Sequence, residues 1–466
     1  MTARLIVAAP ASGSGKTTLT AGLIGALRRR DLVVQPFKCG PDYIDPGYHT
    51  LAAGRPCRNL DTWLLGPDAT RRLFAHASSG AGLALIEGVM GLFDGFGALD
   101  ETGSTADIAR LLGAPVVLVI NARGMARSAA ALVDGFQRFD QRVRIGGVLL
   151  NRVGRPRHAE LCATAIAAHT GLPCFGYLPR RDDLRLPERH LGLMTTAEAG
   201  PWAAVLERVA DLLAETCDLD GLLALARSAP TIDTALLPPL MVQSSERPAR
   251  PAPLIAVAQD DAFSFTYPET RELLEAAGAR VASFSPMADP QLPPGTAGVI
   301  LSGGFPELYA ETLSCNAALH SALRTAHAAG LPIYAECGGL MYLTEALVDQ
   351  QGRRWPMVGL LPGQSVMTER LTLGYRSVRV RQDGPLLAQG TSVRGHEFHY
   401  SRWEGRPDQL PPAYTILAPG DTEGPPEGAQ LGNLLATYVH LHWLARPEIA
   451  QRFVQSCTHA LREAAR

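Results

Sequence analysis

Residues 5–29 read LIVAAPASGSGKTTLTAGLIGALRR. An aliphatic run, Leu5–Ala9, passes through a turn of glycine and serine into an Ala/Leu-rich segment, Thr17–Arg29, that reads as a helix. Backbone N–H groups in such a turn, aided by the helix N-terminus, cradle phosphates. On that chemistry Ser12, Gly13, Ser14, Gly15, Lys16, Thr17 and Thr18 form an ATP-binding loop. Lys16 reaches the β/γ oxygens and Thr17 ligates Mg²⁺. In the common G-x-x-x-x-G-K-[ST] pattern the first glycine would fall at Pro10, so the loop is a variant.

Outward from this unit the pattern repeats. Candidate buried strands Val33–Phe37, Leu83–Ile86, Pro115–Ile120, Ile145–Leu150 and Cys174–Tyr177 alternate with helical segments, including Met125–Phe136 and Arg157–Thr170. Strands alternating with helices give an α/β fold with a doubly wound parallel sheet. From about Ala229 to Pro253 proline, serine and opposite charges replace any apolar period, which is the composition of a linker. The alternation then restarts with strand Leu254–Val257, helix Pro268–Ala277, strands Val281–Phe284 and Val299–Leu301, a helix around Leu308–Ala329, strand Pro332–Ala335 and helix Gly339–Leu347. The expected organisation is a nucleotide domain over 1–230, a linker over 231–252 and a second α/β domain over 253–466.

Composition narrows the functional classes. The 466 residues carry 43 Lys+Arg against 45 Asp+Glu, a net charge of −2, so the whole-chain charge does not favour nucleic acid or an anionic membrane as a partner. Eight cysteines without a CxxC pair read as reduced thiols in a cytoplasmic setting. No stretch approaches the roughly 18 apolar residues of a membrane helix, and Leu5–Ala9 is too short for the h-region of a secretion signal. Only two of the basic residues are lysines, Lys16 and Lys38. A compact ammonium on a flexible stem suits a moving phosphoryl group better than the planar fork of arginine.

Lys38 opens the segment Lys38-Cys39-Gly40-Pro41-Asp42-Tyr43-Ile44-Asp45 at the end of the second strand, the edge at which open α/β sheets bind ligands. A surface turn is the plainer use of the same Gly-Pro-Asp. Glu87 follows the strand Leu83–Ile86, where P-loop enzymes place an acid near Mg²⁺. Asn151, after strand Ile145–Leu150, has the amide needed to read an adenine edge, and equally suits an ordinary turn.

In the second half, Leu331-Pro332-Ile333-Tyr334-Ala335-Glu336-Cys337-Gly338-Gly339-Leu340-Met341 is a strand, a sharp turn at cysteine, and a helix. Such an elbow exposes the thiol and lends it a helix N-terminus and N–H donors for an oxyanion. Cys337 is therefore the candidate nucleophile. His440 and His442 supply a base about 100 residues downstream; His396 and His399 compete for that role. Gly303 and Gly304, ending another strand, offer further N–H groups, so Gly304 and Gly338 are the candidate oxyanion hole. A metal site is the other use for two histidine pairs, but no carboxylate or thiol falls at a familiar ligand spacing.

Taken together, APASGSGKTT, PFKCGPDYIDP and EGVMGLFDG resemble the dethiobiotin-synthetase-like ATPase domain of the cobyrinate a,c-diamide synthase family, and LSGGFPE, YAECGGLMYL, RGHEFHYS and TYVHLH resemble its fused class I-type glutamine amidotransferase domain. The resemblance covers nearly the whole chain. It implies a ligase that amidates the a and c acetates of a corrinoid through acyl phosphates, using ATP, Mg²⁺ and glutamine, in cobalamin biosynthesis. It implies Cys337 as glutaminase nucleophile, His440 as its base, Asp94 as a further catalytic residue, Asp42, Tyr43 and Ile44 as substrate-binding, and Thr17, Asp45 and Glu87 as metal-binding. Lys38 and Asn151 join the ATP site. Class I amidotransferases usually carry Glu two positions after the histidine; this chain has His442 there, which leaves the third triad member open. Hydrogenobyrinate and nickel-sirohydrochlorin are alternative macrocycles. Outside the ligases, a partitioning-type switch ATPase would use an additional early lysine, whereas Ala11–Ser14 carry no charge. Oligomeric state stays open, with a homodimer as the candidate assembly.

Overall fold

A computed structural model of the chain describes residues 2–184, 188–189, 192–193, 202–232, 240, 252–418, 420 and 422–464. Two units form, Met1–Leu240 and Met241–Arg466. Most of the expected linker, 233–239 and 241–251, lies outside the described residues.

In the first unit, β1 (Ala3–Ala8), β2 (Val34–Cys39), β3 (Arg58–Leu60), β4 (Leu83–Glu87), β5 (Val116–Asn121), β6 (Ile145–Val153) and β7 (Cys174–Pro179) build one sheet in the order β3-β2-β4-β1-β5-β6-β7. Every neighbouring pair runs parallel. Strands covered on both faces read as unbroken apolar runs, which is how Leu83–Ile86 and Val116–Ile120 were legible. β3, three residues without an apolar run, was not expected. Because β1 sits between β4 and β5, the loops after β1, β4 and β2 open at the same sheet edge, where ligands bind in such sheets. Helices α1 (Lys16–Arg28) and α2 (Asp45–Ala53) start from the first and the last of these.

The second unit carries a six-stranded sheet ordered Arg280–Phe284, Leu254–Ala258, Thr296–Leu301, Ile333–Glu336, Leu434–Thr437 and Ala429–Leu431, parallel except at the last pair. Beside it lies a mixed sheet centred on the antiparallel pair Leu361–Val380 and Ser392–Glu404, with Thr344–Val348 and His440–Leu441 on their outer sides. The expected helix Gly339–Leu347 ends at Leu343. Thr344 leaves the helical region with ψ 169°, its hydroxyl donates to the Met341 carbonyl at 2.7 Å, and Thr344–Val348 continues as a strand. The expected helix Leu308–Ala329 is broken as well. Asn316 caps a new helix, Ala317–Ala328, by accepting from the Leu319 N–H, separating it from Ala310–Cys315. Among the described residues no helix is long and apolar enough to cross a membrane.

Candidate active sites

The phosphate loop turns through two left-handed glycines, Gly13 at φ 72° and Gly15 at φ 89°, and Gly15 caps α1. A side chain at Gly15 would run into Asn151, whose Nδ2 donates to the Ser14 carbonyl at 2.8 Å while its Oδ1 accepts from the Arg152 N–H. The Asn151 amide is thus engaged in fixing the loop. Ser14 Oγ donates to the Ala11 carbonyl at 2.8 Å. The loop after β4 zips onto the end of β1 through Gly88 N–H to Val7 and Leu92 N–H to Ala9, both at 2.9 Å. Lys16 spans these two loops, donating to the Met90 carbonyl at 2.7 Å and to Ala11 at 3.3 Å. Burial pushes its ammonium pKa down.

Beside it, Thr17 Oγ1 donates to Glu87 Oε1 at 2.8 Å, joining the two residues singled out for Mg²⁺. Strand register brings the next pair together, since Lys38 of β2 stands opposite Glu87 of β4. Lys38 Nζ lies 3.0 Å from Glu87 Oε1, against Asp45 Oδ2 and 3.6 Å from Asp42 Oδ2. Its side chain is 4% exposed and that of Glu87 1%. Burial alone would lower the Lys38 pKa; Asp45, Glu87 and Asp42 more than offset it and hold it well above the usual lysine range. Burial likewise works against the Glu87 carboxylate, yet Lys38 and His49 hold its pKa well below the usual range. Burial and then Asp42 push Asp45 up. Asp42 Oδ1 also accepts from the Ile44 and Asp45 N–H groups and so starts α2.

Other expected residues are placed less centrally. Ile44 is buried and Tyr43 half-buried. Asp94 is exposed and accepts from the Gly91 N–H at 2.8 Å, close enough to favour the Lys16 charge. His49 was not anticipated. It is buried on α2 with Nε2 against Glu87 Oε2. The available signal was its spacing four residues after Asp45, which puts both on one helix face.

The thiol elbow forms as expected. Cys337 has φ 48° and ψ −102°, a strained conformation for a non-glycine residue, and caps the helix Gly338–Leu343. Gly338 and Gly339 let that turn close. A Cβ at Gly339 would lie 2.2 Å from the Leu301 carbonyl, and one at Gly338 would lie 3.0 Å from the Gly304 nitrogen. The two candidate oxyanion donors are therefore neighbours.

The Cys337 thiol donates to the Phe398 carbonyl at 3.8 Å, and its charge acts on the neighbouring His440 imidazole. Burial disfavours charge on this imidazole, but Cys337 and then Glu336 push its pKa up to about 10. His396 stands opposite His440 in strand register and its ring stacks on it, centroids 4.9 Å apart. Burial, His440 and His442 hold His396 well below the usual histidine range. His399 stacks on Tyr438 at 4.1 Å, Nδ1 against the Ser401 carbonyl. The geometry separates one imidazole at the thiol from three around it. No group of three or more His, Cys, Asp or Glu able to hold a metal ion occurs among the described residues.

Residues 5–193 match the family model of the CobQ/CobB/MinD/ParA nucleotide binding domain, and residues 254–448 that of the CobB/CobQ-like glutamine amidotransferase domain. A nucleotide-binding sheet and an amidotransferase thiol site in one chain define a carbon–nitrogen ligase with glutamine as amide donor. The chain is 47% identical over 456 residues to a Dehalococcoides mccartyi protein named cobyrinate a,c-diamide synthase, covering 97% of both. It is 44% identical over 482 residues to the hydrogenobyrinate a,c-diamide synthase of Streptomyces coelicolor, again covering 97% of both, and 42% identical over 465 residues to the cobyrinate a,c-diamide synthase of Priestia megaterium. It belongs to the cobyrinate a,c-diamide synthase family.

Lys38→Met leaves buried carboxylates without their internal cation. It should lower the unfolding free energy by about 3–5 kcal/mol in urea melts; an unchanged midpoint would show that Lys38 does not neutralise this cluster. For the thiol, alkylation of Cys337 by iodoacetamide at pH 7 should slow by at least about tenfold in His440→Gln, and by less in His396→Gln. Since the His440 pKa is raised, the imidazolium and its benefit persist through neutral pH and fade as pH rises through about 10. A larger loss with His396→Gln would reassign the base.

Proposed function

We propose that the protein is an ATP- and glutamine-dependent ligase that amidates a corrinoid's a and c acetate groups, with cobyrinate as substrate, acting in cobalamin biosynthesis. One observation carries this reading: a single chain holds both the Lys16–Thr17–Glu87 phosphate site and the Cys337–His440 thiol site, and relatives bearing the synthase name match it end to end. The metal-free macrocycle hydrogenobyrinate is the second reading, favoured by the Streptomyces coelicolor relative.

A carboxylate resists attack by ammonia because its carbon is electron-rich. In the nucleotide domain an acetate oxygen attacks the γ-phosphorus of ATP and releases ADP, giving an acyl phosphate. Lys16 and the N–H groups of Ser12–Thr18 bear the charge that develops on the phosphoryl oxygens. Thr17, Glu87 and Asp45 are the residues that would hold Mg²⁺, which when bound neutralises phosphate charge. Ammonia then adds to the acyl carbon and inorganic phosphate leaves with the carbon–oxygen bond. Two such cycles yield the diamide.

In the amidotransferase domain Cys337 attacks the side-chain carbonyl of glutamine as a thiolate. The oxyanion accepts from the N–H groups of Gly304 and Gly338. His440 protonates the departing ammonia, then takes a proton from water as that water cleaves the thioester to glutamate. Releasing ammonia inside the enzyme avoids its protonation in bulk solvent, where ammonium has no lone pair to donate. All eight cysteines are free thiols, in keeping with a reduced, cytoplasmic setting.

Cys337→Ala should abolish glutamine-dependent amidation and keep amidation with added ammonium salt, read by mass spectrometry as replacement of two hydroxyls by amino groups. Loss of both activities in a folded variant would contradict the two-site scheme. Parallel assays with cobyrinate, hydrogenobyrinate and nickel-sirohydrochlorin identify the macrocycle, and amidation of none of them would refute the substrate class.

A further inference from the structure

The position two residues after the histidine is His442, and that side chain is turned elsewhere. Its Nε2 lies 3.6 Å from Glu269 Oε2 and its ring stacks on Tyr267, centroids 4.1 Å apart. The acid that faces His440 comes from before the nucleophile instead. Glu336 Oε2 is 3.5 Å from His440 Nδ1. Its other oxygen, Oε1, accepts from the Tyr334 hydroxyl and from the Leu441 N–H at 3.0 Å. The carboxylate is buried, 7% exposed, so its orientation is set by these partners and not by solvent.

Strand geometry explains how adjacent residues reach one imidazole. Along a regular strand Glu336 and Cys337 would point to opposite faces. The positive φ at Cys337 interrupts that alternation. The strand Ile333–Glu336 also pairs with Leu434–Thr437, the strand that leads to His440, and the Cys337 N–H donates to the Thr437 carbonyl at 2.7 Å. One strand pair thereby fixes acid, thiol and imidazole together.

We propose that Glu336 is the positioning acid of the thiol site: its carboxylate accepts the Nδ1 proton of His440, fixes the tautomer, and leaves Nε2 to serve Cys337. This rests on the glutaminase reading given above. The separation is that of a site without substrate, where catalytic hydrogen bonds are long and tighten in the complex. The Nδ1 proton stays on His440 throughout. Nε2 takes the thiol proton, delivers it to the departing ammonia and recovers one from water, so nothing is consumed at Glu336. Other titratable groups facing this pair include Cys337, His396 and His399 around the imidazole, and Tyr334 and Tyr414 around the carboxylate.

The test combines kinetics with histidine ¹⁵N NMR on the full-length protein. Glu336→Gln should lower kcat for glutamine roughly 10²-fold with little change in KM, while amidation with ammonium persists. Glu336→Asp, which keeps the charge, should recover part of the loss. Wild-type kcat in folded Glu336→Gln overturns the proposal. Should that variant not fold, the tautomer decides. In Cys337→Ala the neutral His440 should carry its proton on Nδ1; a proton on Nε2 with bare Nδ1 overturns the proposal. Failure of the glutaminase reading looks different, since Cys337→Ala would then retain glutamine-dependent amidation.

Discussion

Glu87 is an ionised carboxylate taken entirely out of water, and the nucleotide half is arranged around that fact. An isolated buried charge costs several kcal/mol even after relaxation, so its partners have to be supplied by the fold. β2 supplies Lys38 through register, α2 supplies His49, the phosphate loop supplies the Thr17 hydroxyl, and Asp45 of α2 holds Lys38 from its other side. Each comes from the carboxyl end of a strand or from the helix that follows it, so sheet order and acid cluster are one constraint.

The second half solves a related problem with another pair. The His440 imidazole is buried, and its raised pKa expresses the influence of Cys337 and then Glu336 outweighing burial. The glycines around them serve approach more than flexibility. A side chain at Gly303 would lie 2.5 Å from His440 Cε1, and one at Gly339 would strike the Leu301 backbone. Both domains thus use a strand, a tight turn and a helix N-terminus, closed around Gly15 in one and around Cys337 in the other.

The motifs with a local mechanism were legible in the sequence. The phosphate loop, the elbow at Cys337 and the buried parallel strands depend on neighbours along the chain, and each appears where its residues are. What escaped depends on long-range pairing. The hairpin partners Leu361–Val380 and Ser392–Glu404 have burial patterns without clean alternation, so no period announced them. His49 needed the knowledge that α2 packs onto Glu87. Glu336 was hidden by its own strand, because period-two alternation turns it away from Cys337 until the positive φ is known. Asn151 was matched by residue type to an adenine edge, and the structure shows its amide holding the phosphate loop.

The central claim is that nitrogen released at Cys337 ends in the product of the nucleotide domain. The most direct measurement supplies glutamine carrying ¹⁵N in its side-chain amide, together with unlabelled ammonium, ATP and the corrinoid, and analyses the product by mass spectrometry. The account predicts that both new amides carry ¹⁵N in preference to the unlabelled nitrogen of the solution. Product whose amides match the isotopic composition of the bulk ammonium would contradict it.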